Sequence, residues 1–580
     1  MKHLLVSLLL FVGIPVQAQV LTSDSTLNTI LEDIDDFRSN RYSEEERATH
    51  PLGNNTVEFF REEYEFNKSI LARLDAMDTN VLSFDDYISH SLLRFRINDQ
   101  IENFDYKEYL IPILNEGGFH TRVLWRTNSM IITAEQAERY LTYLEDIPRY
   151  FDENIALMRT GAELGIAQPL EGLENYEATY DPYIVEDPST SIFYKPFQNK
   201  PESIPTEEWD RITESAQKTI NESVTTAYAD LKEFFEEEYY PNTRPELGAA
   251  TMPDGEAYYE HKVRYYTTLD MTPDEVFDLG MQEVERIRSE MEQIITDLEF
   301  EGSFQDFIDF LRTDEQFYPK TADELLKEAS YIAKSIDGQL PSLFGRLPRQ
   351  PYGVVPVPAY LAENYTGGRY SGSPLTSNRG GQYWVNTTKL NSRTLYTLEA
   401  LTLHEAVPGH HLQIALTAEM ETLPTFRRNM YINAFGEGWG LYAEYLGYEL
   451  GRYEDPYSEF GRLTYEMWRA CRLVIDTGIH YKGWSKDKAV DFLASNSALS
   501  LHEVNTEINR YITWPGQALA YKMGELTIKR LRTHAEEELG EDFDIKEFHD
   551  AILSKGTVTM TILEEIIDRW IQEKKAETEE

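Results

Sequence analysis

The sequence predicts a mainly α-helical fold with a small β-sheet beside the segment that carries the chemistry. Three observations carry this reading. Helix-start signatures recur at Thr133 to Gln136, Thr272 to Glu275 and Thr321 to Glu324. Each sets a hydroxyl before a helix and a carboxylate or amide three residues on, where the two satisfy each other's free backbone N–H groups; Pro273 adds a proline in the first turn. The segments after each start run to helical length with apolar residues three and four apart. By contrast, Gly380 to Thr387 is a short run of β-formers opened by glycines. At 580 residues the chain exceeds what one core usually holds, so two or more subdomains are expected.

The elements follow in chain order. Lys2 and His3 precede an apolar run from Leu4 to Val16, and Val16-Gln17-Ala18 resembles a cleavage site, so residues 1–18 read as a signal peptide. The run is short for a membrane span, and no cysteine lies near the cut to take a lipid anchor. An exported protein is expected, periplasmic or secreted, with no stable membrane insertion after cleavage. Residues 19–245 are expected to form an N-terminal helical subdomain. Glu236 to Glu238 within it read as a solvated helix face. Tyr240 to Gly248, rich in turn residues, marks the boundary, and residues 246–580 are left to carry the chemistry. The 54 basic against 101 acidic residues give a net charge of −47, which argues against nucleic acid and anionic membrane as partners.

Tyr365 to Pro374, rich in glycine and serine, reads as a loop, either a mobile lid over the cleft or only a surface connection. The β-forming run that follows is read as an edge strand that accepts an extended substrate backbone, with Gln382, Tyr383 and Trp384 as candidate binding residues. A structural hairpin is the equal alternative. Cys471, the sole cysteine, lies among Trp468, Leu473 and Val474 and is expected to be a buried apolar residue.

The chemistry concentrates in His404-Glu405-Ala406-Val407-Pro408-Gly409-His410-His411. Two histidines four apart on a helix, with a glutamate beside the first, make a zinc hydrolase site. Here Pro408 occupies the place of the second histidine. An unbroken helix would put His410 roughly 240° around from His404, and His411 about 10 Å up the axis, too far to share one ion. Pro408 withholds an N–H from the His404 carbonyl and clashes with it, and Gly409 permits unusual backbone angles. The helix is therefore expected to break there and return His410 to the second ligand position, with His411 the reserve choice. A third ligand is sought in Phe435 to Glu444. Glu437, flanked by Gly436 and Gly438, is the expected ligand. Glu444, seven residues on and on the same helix face, is expected to orient a ligand histidine from behind. A solvated helix carboxylate is the equal reading of Glu444. His502-Glu503 shows how little a lone His-Glu pair means, since no ligand-spaced partner follows it.

These blocks, with Glu507-x-x-Arg510-Tyr511 and Pro515-Gly516-Gln517-Ala518-x-x-Tyr521-Lys522-x-Gly524 after them, resemble the bacterial DUF885 family. The resemblance is densest from Pro351 to Gly524. It implies a zinc metallopeptidase similar in architecture to helical gluzincins such as thimet oligopeptidase and angiotensin-converting enzyme. A large helical fold with a deep cleft, a single Zn2+ ion and an oligopeptide substrate are then expected. Glu405 is the expected general base, taking a proton from water and giving it to the leaving amine. The oxyanion needs a further donor. Tyr511 and Tyr521 are the candidates, against core packing as the ordinary fate of tyrosine. Arg510 is a third, as a donor or as a partner for a substrate carboxylate. The alternatives are an amidohydrolase of non-peptide amides and a non-catalytic peptide-binding protein; the retained Glu405 argues against the second.

Overall fold

The computed structural model describes residues 22–358, 362 and 365–579, and the expected signal peptide lies outside them. Helices dominate throughout, and the described strands are few and short.

Helices α1 (Ser25–Arg41), α2 (Val57–Asp75) and α3 (Phe84–Asp105) bury Leu27, Ile30, Ile70, Leu74, Leu93 and Ile97 in a small core of their own. A hairpin of β1 (Ile113–Leu114) and β2 (Gly117–Gly118) follows, with Asn115 and Glu116 at its turn. A second core then spans residues 113–239, around α4 (Ala134–Glu145), α5 (Ile147–Glu163) and α6 (Thr206–Thr219). The Thr133 signature starts α4 as a reciprocal capping box. Glu236 to Glu238 are exposed, and Glu238 pairs with Arg159 at 2.6 Å. The second core ends at Tyr239, just short of the turn-rich boundary. The first half is not wholly separate from the second, because Ile88 and Leu92 of α3 enter the largest core, which belongs to the second half.

That half contains α7 (Gly255–Thr267), α8 (Pro273–Asp297) and α9 (Ala322–Asp337). Thr272 caps α8 with a full capping box. At α9 the Thr321 hydroxyl accepts from the Glu324 N–H, while Glu324 reaches back one residue further, to the Lys320 N–H at 2.6 Å.

Three strands form the sheet: β3 (Tyr352–Pro356), β4 (Gly368–Ser371) and β5 (Gly381–Val385), in the order β3-β5-β4. β5 pairs parallel with β3 and antiparallel with β4. Two expectations are corrected here. The run holding Gln382, Tyr383 and Trp384 is the central strand, so both its edges are taken and it cannot add a substrate strand. The glycine-rich segment read as a lid contains β4, which is fixed to β5.

After the sheet come α10 (Leu398–Glu405), which packs on β4, then α11 (His410–Ala418), α12 (Asn433–Tyr445), α13 (Pro456–His480), α14 (Leu501–Thr513) and α15 (Ala520–Leu539). Helices α8 and α13 run along each other, and a side chain at Gly280 would meet the Leu473 Cβ at 2.7 Å. Cys471 on α13 is fully buried, as expected. Lys522 of α15 is buried between Glu466 at 2.8 Å, Glu525 at 2.6 Å and Glu283 at 3.0 Å, which ties α15 to α13 and α8.

Helix α12 carries three interior glycines, each costing about 1 kcal/mol against alanine. Packing offsets the cost. A Cβ at Gly438 would lie 2.5 Å from the Gly524 Cα of α15, so the two backbones touch. Gly438→Ala is expected to force the helices apart and lower stability by about 1–3 kcal/mol. Thermal unfolding checks this; an unchanged Tm would contradict the contact.

Candidate metal centre

Helix α10 ends at Glu405, the chain turns over residues 406–409, and α11 begins at His410. The Val407–Pro408 peptide is cis. Two hydrogen bonds span the break, Gly409 N–H to the Leu403 carbonyl at 2.9 Å and His411 N–H to the Ala406 carbonyl at 3.0 Å. Gly409 is required because a Cβ there would run into the His404 carbonyl. Trp439, fully buried on α12, donates its indole N–H to the Pro408 carbonyl at 2.8 Å and pins the turn from the other side.

The break brings His404 and His410 together, with ring centroids 4.7 Å apart and planes perpendicular. Glu437 Oε2 of α12 lies 3.6 Å from His404 Nε2 and 3.5 Å from His410 Nε2. Both separations are long for hydrogen bonds. They are close to the edge of about 3.4 Å of a tetrahedron with metal–ligand bonds of about 2.1 Å. The three donor atoms all lie within 4.8 Å of one another. Two imidazole nitrogens and a carboxylate oxygen at this spacing fit a single zinc ion with a fourth position open.

The surroundings hold these groups in place. Glu444 is buried rather than solvated, and its Oε1 takes the His404 Nδ1–H at 2.8 Å, which turns Nε2 toward Glu437. A side chain at Gly440 would strike the His404 ring at 2.7 Å, so the glycine leaves room for the imidazole. Burial works to lower the His404 pKa, but Glu437 and Glu444 outweigh it and hold it at about 10. Burial works to raise the Glu437 pKa, and the two histidines overcome it and keep the carboxyl well below its usual range. Tyr431 donates its hydroxyl to the other Glu437 oxygen at 3.1 Å. Glu444→Ala is expected to weaken zinc affinity about 10- to 100-fold with the fold intact, read by competition with a chromophoric chelator.

Glu405 is buried at the end of α10, and its Oε2 accepts the Tyr370 N–H of β4 at 2.7 Å. His411 is turned away from the cluster. Its Nδ1 bonds the Tyr370 hydroxyl at 2.9 Å, its ring packs on Tyr352, and burial pulls its pKa down to about 4. It therefore supports β4, which holds Glu405.

The other candidates divide. Tyr521 and Arg510 lie together, with Arg510 Nη2 3.4 Å from the Tyr521 hydroxyl and 2.8 Å from Gln517 Oε1. Tyr511 is corrected to a core residue: it is buried, and its hydroxyl accepts from Trp468 Nε1 and Arg472 Nε, each at 2.8 Å. It has no reach to a reacting carbonyl. Tyr383 is fully buried, with its hydroxyl 3.4 Å from the Thr402 hydroxyl of α10, and the Trp384 indole N–H bonds Gln382 at 3.1 Å. Those three residues buttress α10 and one another rather than offering a free strand edge. Sequence reasoning missed Tyr431 and the β4 backbone; neither sits in a recognisable motif.

A family model described as a bacterial protein of unknown function, DUF885, matches residues 44–567. The chain belongs to the DUF885 family. Among solved structures, this DUF885 chain is similar to a candidate lipoprotein of Colwellia psychrerythraea, with a TM-score of 0.83 and 26% identity over 94% of this chain and 97% of that one. A candidate lipoprotein of unknown function from Shewanella oneidensis shares the fold, with a TM-score of 0.69 and 18% identity over 94% of this chain and all of that one. A comparison with curated proteins finds no match.

Proposed function

We propose that this DUF885 protein is an exported, zinc-dependent metallopeptidase that hydrolyses peptide bonds of oligopeptides. The observation that carries the reading is the convergence of His404 Nε2 and His410 Nε2 on Glu437 Oε2, at 3.6 and 3.5 Å, beside an anchored glutamate. A zinc ion held there would polarise a scissile carbonyl and acidify a water molecule. Glu405, fixed by the Tyr370 N–H, takes the water's proton and passes it to the leaving amine. Tyr521 donates its hydroxyl hydrogen to the developing oxyanion while accepting from Arg510. The substrate backbone adds to the outer edge of β4, the strand next to Glu405, in place of the β5 edge expected from sequence.

Export is supported by the basic and apolar N-terminal run and by the description of the Colwellia and Shewanella structures as candidate lipoproteins. No helix among the described residues is long and apolar enough to cross a membrane. The test is metal dependence. Chelation is expected to abolish cleavage of a short quenched peptide, and one equivalent of zinc to restore it. Cleavage that survives complete removal of metal would sink the proposal.

A further inference from the structure

Side chains alternate across a strand. Tyr370 of β4 is buried, so Arg369 beside it points to the other face and is exposed. Other arginines near the site have carboxylate partners: Arg472 with Glu507 at 2.9 Å, Arg510 with Glu507 at 3.6 Å and Arg469 with Glu444 at 3.8 Å. Among the described residues no carboxylate lies within ion-pair distance of Arg369. Its guanidinium carbon sits 5.6 Å from the Tyr365 ring centre. Though open to water it is crowded. Burial works against its charge, and Tyr365, Glu405, Tyr521 and Glu116 outweigh it and raise its pKa.

Two further charged groups come from elsewhere in the chain. Arg510 touches Tyr521, and the same Glu116 and Tyr521 act on its charge. Glu116 is exposed at the β1–β2 turn, which the Asn115 N–H fixes to the Thr513 hydroxyl of α14 at 3.1 Å. Arg369 thus sits one residue from the Tyr370 N–H that holds Glu405, with no carboxylate within ion-pair distance among the described residues, while Arg510 of α14 touches Tyr521. An open guanidinium binds a carboxylate in a fixed orientation.

We infer that Arg369 binds a carboxylate of the peptide substrate and so selects which bond reaches Glu405. The inference rests on the peptidase reading. A peptide offers this chemistry at its C-terminus or on an acidic side chain. A terminal carboxylate would make the protein trim peptides from that end.

The test uses the zinc-loaded full chain and one quenched pentapeptide in three forms: the free acid, the C-terminal amide, and the free acid with its glutamate changed to glutamine. One charge-assisted contact predicts a roughly 10- to 100-fold fall in kcat/KM, mainly through KM, when the recognised carboxylate is removed. A poor amide identifies the terminus, and a poor glutamine peptide identifies the side chain. Arg369→Ala is expected to erase the discrimination and Arg369→Lys to keep part of it, with zinc content and circular dichroism confirming the fold. Equal cleavage of all three peptides by the wild type would overturn the inference and leave the peptidase standing, as would undiminished discrimination in Arg369→Ala. Calorimetry with zinc-loaded Glu405→Gln should give the same ranking without turnover, and equal affinities would also overturn it. No cleavage of any form by zinc-loaded protein would overturn the peptidase reading and the inference with it.

Discussion

Glu405→Gln is expected to lower kcat by about 10²–10⁴-fold while zinc stays stoichiometric. The amide keeps the shape of the carboxylate and can still face the Tyr370 N–H, which bonds Glu405 at 2.7 Å. It cannot take a proton from water. Because Glu405 is not among the three donors that converge, its loss should leave the metal in place. Metal analysis and peptide turnover on the same preparation separate the two effects. Full activity in the variant would remove Glu405 from the base role, and loss of zinc would mean that Glu405 helps to hold the ion.

The second large effect concerns the histidines. His410→Ala is expected to abolish tight zinc binding, and His411→Ala to retain it. The two differ by one position, yet the break at 406–409 sends them to different places. His410 Nε2 faces Glu437 at 3.5 Å, whereas His411 bonds Tyr370 and packs on Tyr352. Removing one of three ligands leaves a pair that cannot complete a tetrahedral site. His411→Ala should instead act on rate, by loosening β4 and with it the N–H that fixes Glu405. Zinc stoichiometry after dialysis decides. Retention in His410→Ala and loss in His411→Ala would reverse the assignment and require a different path for the turn.

Much of the candidate cluster of His404, His410 and Glu437 was legible in sequence because its parts are local. His404, Glu405 and His410 lie within one short run, and Pro408 and Gly409 act on the backbone through steric rules that need no tertiary context. The glycines around Glu437 announced a close approach, and Gly438 against Gly524 shows one. Capping signatures placed helix starts for the same reason. Sheet order was not legible, because strand pairing joins segments far apart in the chain. The glycines and serines that disguised β4 as a loop say nothing about its pairing with β5. Tyr511 was misread because a tyrosine beside a motif looks alike whether its hydroxyl faces a substrate or, as here, Trp468 and Arg472. With 37 tyrosines in the chain, only the partners could separate them. Arg369 carried no signal either, since its interest lies in having no carboxylate within ion-pair distance among the described residues.

The most direct test of the central claim is cleavage of a mixed oligopeptide library by the zinc-loaded wild-type protein, read by mass spectrometry. The account predicts cuts in short peptides, at positions that fall in register from a peptide carboxylate. An intact library, from protein shown to hold one zinc per chain, would contradict the assignment of this centre to peptide hydrolysis.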